Sequence, residues 1–177
     1  IVSIFLFIFF PEIDFFVSHL FFSNSKGFYL ANSLYESFFY YSVPVVLITL
    51  YFVISAIFFI NTKYKKKIWN VTLRKVFFVY LVGVIGSLFC VELVFKQGFG
   101  RPRPRELKEF GSIDSPYKFT PPFVISQQDG NSFSSGHAAG AFLLISFAFI
   151  ITSYQKIAIF IAFLFGFLVS FARIIAG

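Results

Sequence analysis

Charged residues, cysteine and methionine are scarce in this chain of 177 residues. Only 13% of the residues are charged, whereas soluble domains carry roughly a quarter, so the composition excludes an ordinary soluble domain. The single cysteine, Cys90, excludes an internal disulfide and a cysteine-based metal site. Methionine is absent, and the first apolar run stops after Phe10. A spanning helix needs about 20 residues, so we expect the N-terminus to be truncated.

Apolar and positively charged residues dominate what is present. Hydrophobic residues make up 58% of the chain, and 31 of them are phenylalanine. The net charge is +7, but the positive residues do not form one continuous face. This distribution disfavours nucleic acid as a partner and favours membrane lipids and lipid phosphates.

Long apolar segments predict an all-α fold, a polytopic transmembrane helix bundle. We read residues 1–177 as a single membrane-embedded domain with five visible crossings, the first of which ends at Pro11. A short amphipathic segment, Asp14–Phe22, is typical of a helix that lies on the membrane surface. The other predicted crossings are Ser37–Ile60, Val76–Phe95, Ala138–Ser153 and Ile157–Ala172.

The densest basic loop indicates how these crossings are oriented. Four lysines, Lys63 and Lys65–Lys67, lie between the second and third crossings. The positive-inside rule places them in the cytoplasm. Counting crossings from that point makes residues 96–135 an external loop and returns Arg173 to the same external side.

The external loop opens with a basic, proline-rich stretch that contains Lys96, Arg101 and Arg103. Each arginine precedes a proline, which restricts it to extended conformations. A guanidinium held in this way can bind phosphate oxygens in bidentate fashion with little loss of entropy. The alternative is a basic loop that is attracted to anionic head groups. Glu92 lies one helical turn before Lys96, and we expect it to support that lysine.

The loop closes on a second cluster of polar residues, Ser134, Ser135, Gly136 and His137, at the start of the next crossing. Serine suits a helix N-cap, and a helix start offers unpaired N–H groups and partial positive charge to an anion. His137 can donate a proton to a leaving oxygen near neutral pH. The alternatives are an ordinary cap with an interfacial histidine and, for Arg173, a snorkelling anchor.

These motifs resemble the signature of the type 2 phosphatidic acid phosphatase superfamily, which reads K-x6-R-P, P-S-G-H and S-R-x5-H-x3-D. Lys96 and Arg103-Pro104 match the first part, Ser135-Gly136-His137 most of the second, and Arg173 the start of the third. Ser134 replaces the proline and Ala172 the serine. The surrounding residues are similar to the bacterial branch that includes lipid A phosphatases.

The resemblance implies a six-helix core whose last helix is missing from this chain, in the bacterial inner membrane, with an active site that faces the periplasm. It implies a metal-independent lipid phosphatase without cofactors, which acts on a phosphorylated lipid through a phosphohistidine. The implied catalytic residue is His137, and the implied phosphate-binding residues are Lys96, Arg103, Ser135, Gly136 and Arg173. The supporting residues would be Glu92, Arg101 and Ser134.

The resemblance also places the nucleophilic histidine six residues after Arg173, two positions past Gly177. We therefore expect this chain to bind phosphate without turnover. The expected substrate is a lipid A-type phosphomonoester. The alternative substrates are undecaprenyl pyrophosphate, phosphatidylglycerol phosphate and phosphatidic acid. A non-catalytic lipid-phosphate carrier is the alternative from another class, although a carrier would need ionisable groups near the bilayer midplane.

The predicted orientation can be tested by labelling from one side of the membrane. Cysteines introduced at Ser112 and Tyr64 should react with an impermeant thiol reagent from opposite sides, because Ser112 lies in the external loop and Tyr64 in the basic loop. Labelling of both positions from outside would contradict the orientation, and with it the shared external site.

Overall fold

The computed structural model describes residues 5, 7, 9–112, 114–126, 128–151 and 153–177. The predicted first crossing lies largely outside these described residues. The helices are α1 (Glu12–Leu20), α2 (Leu34–Tyr64), α3 (Leu73–Gly83), a π-helix (Val84–Gln97), α4 (Gly136–Ala148) and α5 (Gln155–Ile175). Short 3₁₀ turns cover Ile68–Asn70, Pro104–Glu106 and Lys108–Phe110, and the strands β1 (Phe22–Ser23) and β2 (Gly27–Phe28) form an antiparallel pair.

Three helices in the described part of the chain are long and apolar enough to cross a membrane. They are α2 with 31 residues, α3 with its π-helical continuation (25 residues), and α5 with 21 residues. Helices suit this environment because every backbone polar group is satisfied within the segment. The all-α transmembrane bundle expected from the sequence is therefore confirmed.

The helix α2 is longer at both ends than the predicted crossing Ser37–Ile60. The side chain of Ser33 accepts a hydrogen bond from the backbone N–H of Glu36 at 3.2 Å and so caps the first turn. The helix ends at Tyr64, and the cap residue Lys65 has a left-handed φ of 52°. An N-cap serine three residues ahead of a glutamate is a recognised start signal, and it places Glu36 inside the helix.

The third predicted crossing, Val76–Phe95, is helical but not uniformly α-helical. The chain changes from α-helix to π-helix at Val84 and keeps the wider winding to Gln97. Hydrophobic periodicity does not distinguish the two windings over such a uniformly apolar stretch. The π-helix carries Lys96 in its last turn, so Lys96 belongs to this helix rather than to the loop that follows.

The fourth predicted crossing is shorter than the sequence indicated. We expected Ala138–Ser153, but α4 ends at Ala148 and the chain then turns at Phe149 and Ile150. Thirteen residues rise about 20 Å, which is less than the roughly 30 Å hydrocarbon core. The apolar run continues beyond the end of the helix, so its length alone overestimates the helix.

A compact interface joins α2, α4 and α5. Ala141 and Val169 are fully buried there and pack with Phe39, Val43 and Ala172. A separate hydrophobic cluster of Phe28, Leu107 and Phe110 joins the hairpin to the loop beyond the helices. The bundle therefore fixes the relative positions of the three helix ends that carry Glu36, His137 and Arg173.

The contact of α4 with α5 predicts a stability defect. A side-chain carbon added at Gly166 would lie 2.7–3.0 Å from three ring carbons of Phe142, and because one of them is Cγ the whole ring must move. We expect Gly166→Ala to lower the unfolding temperature in detergent, at a cost of about 1–3 kcal/mol. Gly98→Ala is the control, because its nearest neighbour, the carbonyl oxygen of Leu93, lies 3.8 Å away. Equal melting of the two variants would contradict this contact.

Candidate active site

A cavity of about 650 Å³ opens where four helix ends meet. The first turns of α2 and α4 face the last turns of the π-helix and α5 at this end of the bundle. The lining includes every residue that we predicted to be catalytic or phosphate-binding: Lys96, Arg103, Ser135, Gly136, His137 and Arg173. Residues up to 77 positions apart in the chain therefore share one cavity.

Backbone pairing within the loop 98–135 brings the first two motifs together. Ser126 N donates to Phe99 O at 2.7 Å, Gly130 N to Gly100 O at 3.0 Å, and Ser132 N to Arg101 O at 2.8 Å. Only glycine fits at position 130, since a side-chain carbon there would lie 2.2 Å from the backbone of Arg101. This close approach holds the stretch before α4 against the stretch that contains Arg103.

Lys96 lies between a carboxylate and the start of α4. Its Nζ donates to Glu92 Oε2 at 2.7 Å, four residues earlier on the same helix. The structure thus contains the pair that the spacing predicted. On the other side, a side-chain carbon built on Gly136 would lie 3.8 Å from Lys96 Nζ, so the ammonium group directly faces the N-terminus of α4.

The N-terminus of α4 forms the floor of the anion site. Ser135 is the N-cap residue, and its Oγ accepts a hydrogen bond from Ala138 N at 3.4 Å. The N–H groups of Gly136 and His137 precede the first intrahelical bond and can donate to a ligand. Together with the helix dipole they form a site that suits a phosphate group.

Arg103 enters the cavity from an extended backbone, as the following proline predicted. Its φ is −76° and its ψ is 149°. Its own N–H donates to Glu106 Oε2 at 2.9 Å, and its Nε lies 3.9 Å from Glu106 Oε1. Arg105 also lines the cavity. The sequence analysis does not include it, because the motif contains Arg103 but not Arg105.

Two predicted supporting residues lie elsewhere. Arg101 is buried and bonds to Asp14 of α1 and, at 2.7 Å, to the carbonyl oxygen of Thr120. It therefore joins α1 to the loop. Ser134 is not among the described residues that line the cavity, whereas its neighbours Ser132 and Ser135 are. Arg101 and Arg103 both precede proline, but the motif spacing from Lys96 selects Arg103, and Arg103 is the one of the two that lines the cavity.

His137 stacks on an aromatic ring that sequence reasoning missed. The centroids of its imidazole and of the Tyr40 ring lie 4.2 Å apart, with 24° between the ring planes. Burial lowers the pKa of His137 from its ordinary value, and the positive charge of Arg173 lowers it further, whereas Glu36 raises it. A bound phosphate anion would also raise this pKa, so an anionic ligand favours the protonated form that a general acid requires.

Arg173 is held by a carboxylate from α2. Its Nη1 donates to Glu36 Oε1 at 2.7 Å, and only 7% of Glu36 is exposed. We had started the predicted crossing at Ser37 and so had not considered Glu36. A carboxylate at the edge of an apolar segment is itself a signal for a functional role, and this signal could have revealed Glu36. No comparable signal marks Tyr40.

The described residues contain no group of three or more histidine, cysteine or carboxylate side chains that could hold a metal ion. The cavity is instead lined by four cationic side chains, Lys96, Arg103, Arg105 and Arg173. Charge, hydrogen-bond donors and a histidine therefore converge on a space that suits a phosphate group.

Comparison with known families agrees with this geometry. Residues 77–177, more than half of the chain, match the family described as the PAP2 superfamily. The chain belongs to the PAP2 superfamily. The matched range contains all six predicted catalytic and phosphate-binding residues of the cavity, whereas α1 and α2 lie outside it.

A curated relative is similar to most of the chain. It is the lipid A 4'-phosphatase of Francisella tularensis subsp. novicida (strain U112), which is 33% identical over 150 residues. The match covers 82% of this chain and 62% of that protein, so the chain spans less than two thirds of this relative. No solved structure matches the chain.

The cavity predicts that Arg103 contributes to phosphate binding. Arg103→Ala should weaken the binding of inorganic phosphate or vanadate, because a charge-assisted hydrogen bond is worth on the order of 1.5–3 kcal/mol. The half-exposed position of Arg103 favours the lower end of that range. Arg74→Ala, at the start of α3 and outside the cavity lining, is the control. Unchanged affinity in a folded Arg103→Ala protein would remove Arg103 from the site.

Proposed function

We propose that this chain is the phosphate-binding part of an integral membrane lipid phosphatase, which removes phosphate from a lipid phosphomonoester of the lipid A type. The observation that carries the proposal is the convergence of His137 with Lys96, Arg103, Arg173 and a helix N-terminus in one cavity. PAP2 membership and the lipid A 4'-phosphatase relative support the reaction and the substrate class. We further propose that the cavity faces the periplasm.

The first chemical step is an in-line attack on phosphorus. The nucleophile would be the histidine that the family motif places two positions past Gly177. A nitrogen–phosphorus bond forms as the bond from phosphorus to the lipid oxygen breaks, giving a phosphohistidine. Lys96, Arg103, Arg173 and the first N–H groups of α4 would stabilise the charge on the three equatorial oxygens.

His137 would act first as a general acid and then as a general base. As the lipid oxygen leaves, the imidazolium of His137 donates a proton to it, which releases the lipid as an alcohol. Water then attacks the phosphohistidine, and neutral His137 accepts a proton from that water. Inorganic phosphate leaves, and both histidines return to their starting states.

We propose that this chemistry does not require a metal ion. Divalent ions assist phosphoryl transfer chiefly by neutralising developing negative charge. In this cavity, four cationic side chains and the helix N-terminus can supply that positive charge. The same groups would also orient the phosphate before the attack.

The proposal is tested with a protein that continues past Gly177 and carries a histidine at the family spacing. It should release inorganic phosphate from a lipid phosphate in the presence of EDTA. His137→Ala should slow turnover while lipid binding stays nearly intact, since general-acid catalysis is worth about 10²–10⁴-fold. The loss should be smaller for a substrate whose leaving group has a low pKa and so needs no proton.

Two outcomes would contradict this function. Activity that chelation abolishes and a divalent ion restores would overturn the metal-independent mechanism. Binding of lipid phosphate without release of phosphate from any lipid tested would point to a carrier instead. Comparing a lipid A-type phosphomonoester with undecaprenyl pyrophosphate, phosphatidylglycerol phosphate and phosphatidic acid identifies the preferred substrate.

A further inference from the structure

The helix α2 contributes two side chains to the cavity that belong to none of the three motifs. Glu36 and Tyr40 are four residues apart and therefore lie on the same face of the helix. Both line the cavity, and both lie outside the range 77–177 that matches the PAP2 superfamily. Glu36 contacts Arg173, and Tyr40 contacts both His137 and Arg173.

Glu36 fixes the position of the Arg173 guanidinium. The pair meets at 2.7 Å, with 9% of the glutamate side chain and 19% of the arginine side chain exposed. Glu36 is itself held in the first turn of α2, where its N–H donates to Ser33 Oγ. Because a guanidinium carries five N–H donors in a rigid plane, one bond to Glu36 orients the group and leaves other donors for phosphate.

Tyr40 contacts both functional groups through its ring. It stacks on His137, and the Cζ of Arg173 lies 5.3 Å from its ring centroid. The ring therefore contacts both the imidazole and the guanidinium, and these contacts restrict their rotation. Its electron-rich face also favours a cation, which here means the imidazolium form of His137.

The helix α2, which carries Glu36 and Tyr40, packs directly against α4 and α5. The hydroxyl of Tyr35 on α2 donates to Leu168 O on α5 at 2.9 Å. Phe39 and Val43 pack in the buried interface with α4 and α5. The face of α2 that carries Glu36 and Tyr40 therefore keeps a fixed distance from His137 and Arg173.

We propose that Glu36 and Tyr40 are positioning residues, which hold Arg173 and His137 in the geometry that phosphoryl transfer requires. This inference rests on the proposed phosphatase function. It assigns part of the active site to a helix outside the matched family range. A misplacement of about 1 Å can cost on the order of 10²-fold in rate, so two such contacts can decide turnover.

The charges around His137 give a second readout of this role. Glu36 and Tyr40 face it from α2, Lys96 from the π-helix, Arg103 and Arg105 from the loop, and Arg173 from α5. Glu36 is the carboxylate in this set, and its charge raises the pKa of His137 against the effects of burial and of the cations. Its removal should therefore lower that pKa and move the alkaline limb of the rate profile to lower pH.

The carboxylate is tested with Glu36→Gln in a protein that continues past Gly177 with a histidine at the family spacing. We expect kcat for a lipid phosphate to fall by about 10²-fold, while the affinity for inorganic phosphate changes little or rises, because a negative charge has been removed. Glu109→Gln makes the same charge change at an exposed position outside the cavity and should behave like the wild type. Unchanged or increased turnover in Glu36→Gln would overturn the proposal.

A shorter carboxylate covers the case in which Glu36→Gln does not fold. Glu36→Asp keeps the charge and withdraws it by one methylene group, so it should bind phosphate normally and turn over at an intermediate rate. A folded Glu36→Asp protein with full activity would show that the position of the carboxylate does not matter, and so would also overturn the proposal.

The ring is tested with a conservative and a disruptive change. Tyr40→Leu removes the stacking surface and should lower kcat more than it changes KM, whereas Tyr40→Phe keeps the ring and should restore most of the lost rate. Tyr64→Leu makes the same disruptive change at the far, exposed end of α2 and should not affect turnover. Equal rates for Tyr40→Leu and Tyr40→Phe would remove the ring from this role.

A measurement on His137 separates failure of this proposal from failure of the proposed function. The ¹⁵N resonances of its imidazole, assigned by their loss in His137→Gln, report its pKa without turnover. Glu36→Gln should lower that pKa even if the wild type releases no phosphate from any lipid. If the wild type is active and the pKa of His137 is the same in both proteins, the positioning role fails while the phosphatase function stands.

Discussion

Charge compensation at one end of the bundle is the constraint on which the site depends. Positive side chains collected beside an apolar region repel one another and lose hydration. In this structure four of them are each paired with a carboxylate: Lys96 with Glu92, Arg101 with Asp14, Arg103 with Glu106, and Arg173 with Glu36. The pairs reduce the repulsion while the cavity keeps a net positive lining.

The pairs at the cavity differ in distance and in burial. Glu36 and Arg173 are the least exposed of the three pairs whose cation lines the cavity, and they meet at 2.7 Å, whereas Arg103 and Glu106 are more exposed and lie 3.9 Å apart. Loss of one partner from a buried pair costs roughly 3–5 kcal/mol, so Arg173 depends on α2. Arg103 depends more on its extended backbone and on the paired loop segments.

Composition and hydrophobic runs were sufficient to predict the all-α membrane bundle, because each long apolar segment must form a helix. They could not predict the π-helical winding of Val84–Gln97 or the early end of α4 at Ala148. Both features depend on backbone hydrogen bonding within a uniformly apolar stretch. The side chains of such a stretch carry no periodic signal that marks a change of winding or a helix end.

The motif spacing selects six residues, and all six line one cavity. Cations, N–H donors and a proton source are the groups that phosphate chemistry would use there. The spacing selects Arg103 rather than Arg101, but it does not show that Arg101 bonds to Asp14 and Thr120, because these contacts depend on how the loop folds. It also missed Glu36 and Tyr40, which reach the site only because α2 packs against α4 and α5.

A site formed between helices has residues of two kinds. Those that meet the ligand are constrained by its chemistry and form motifs, whereas those that hold them are constrained by packing and can be recognised only once the helices are placed together.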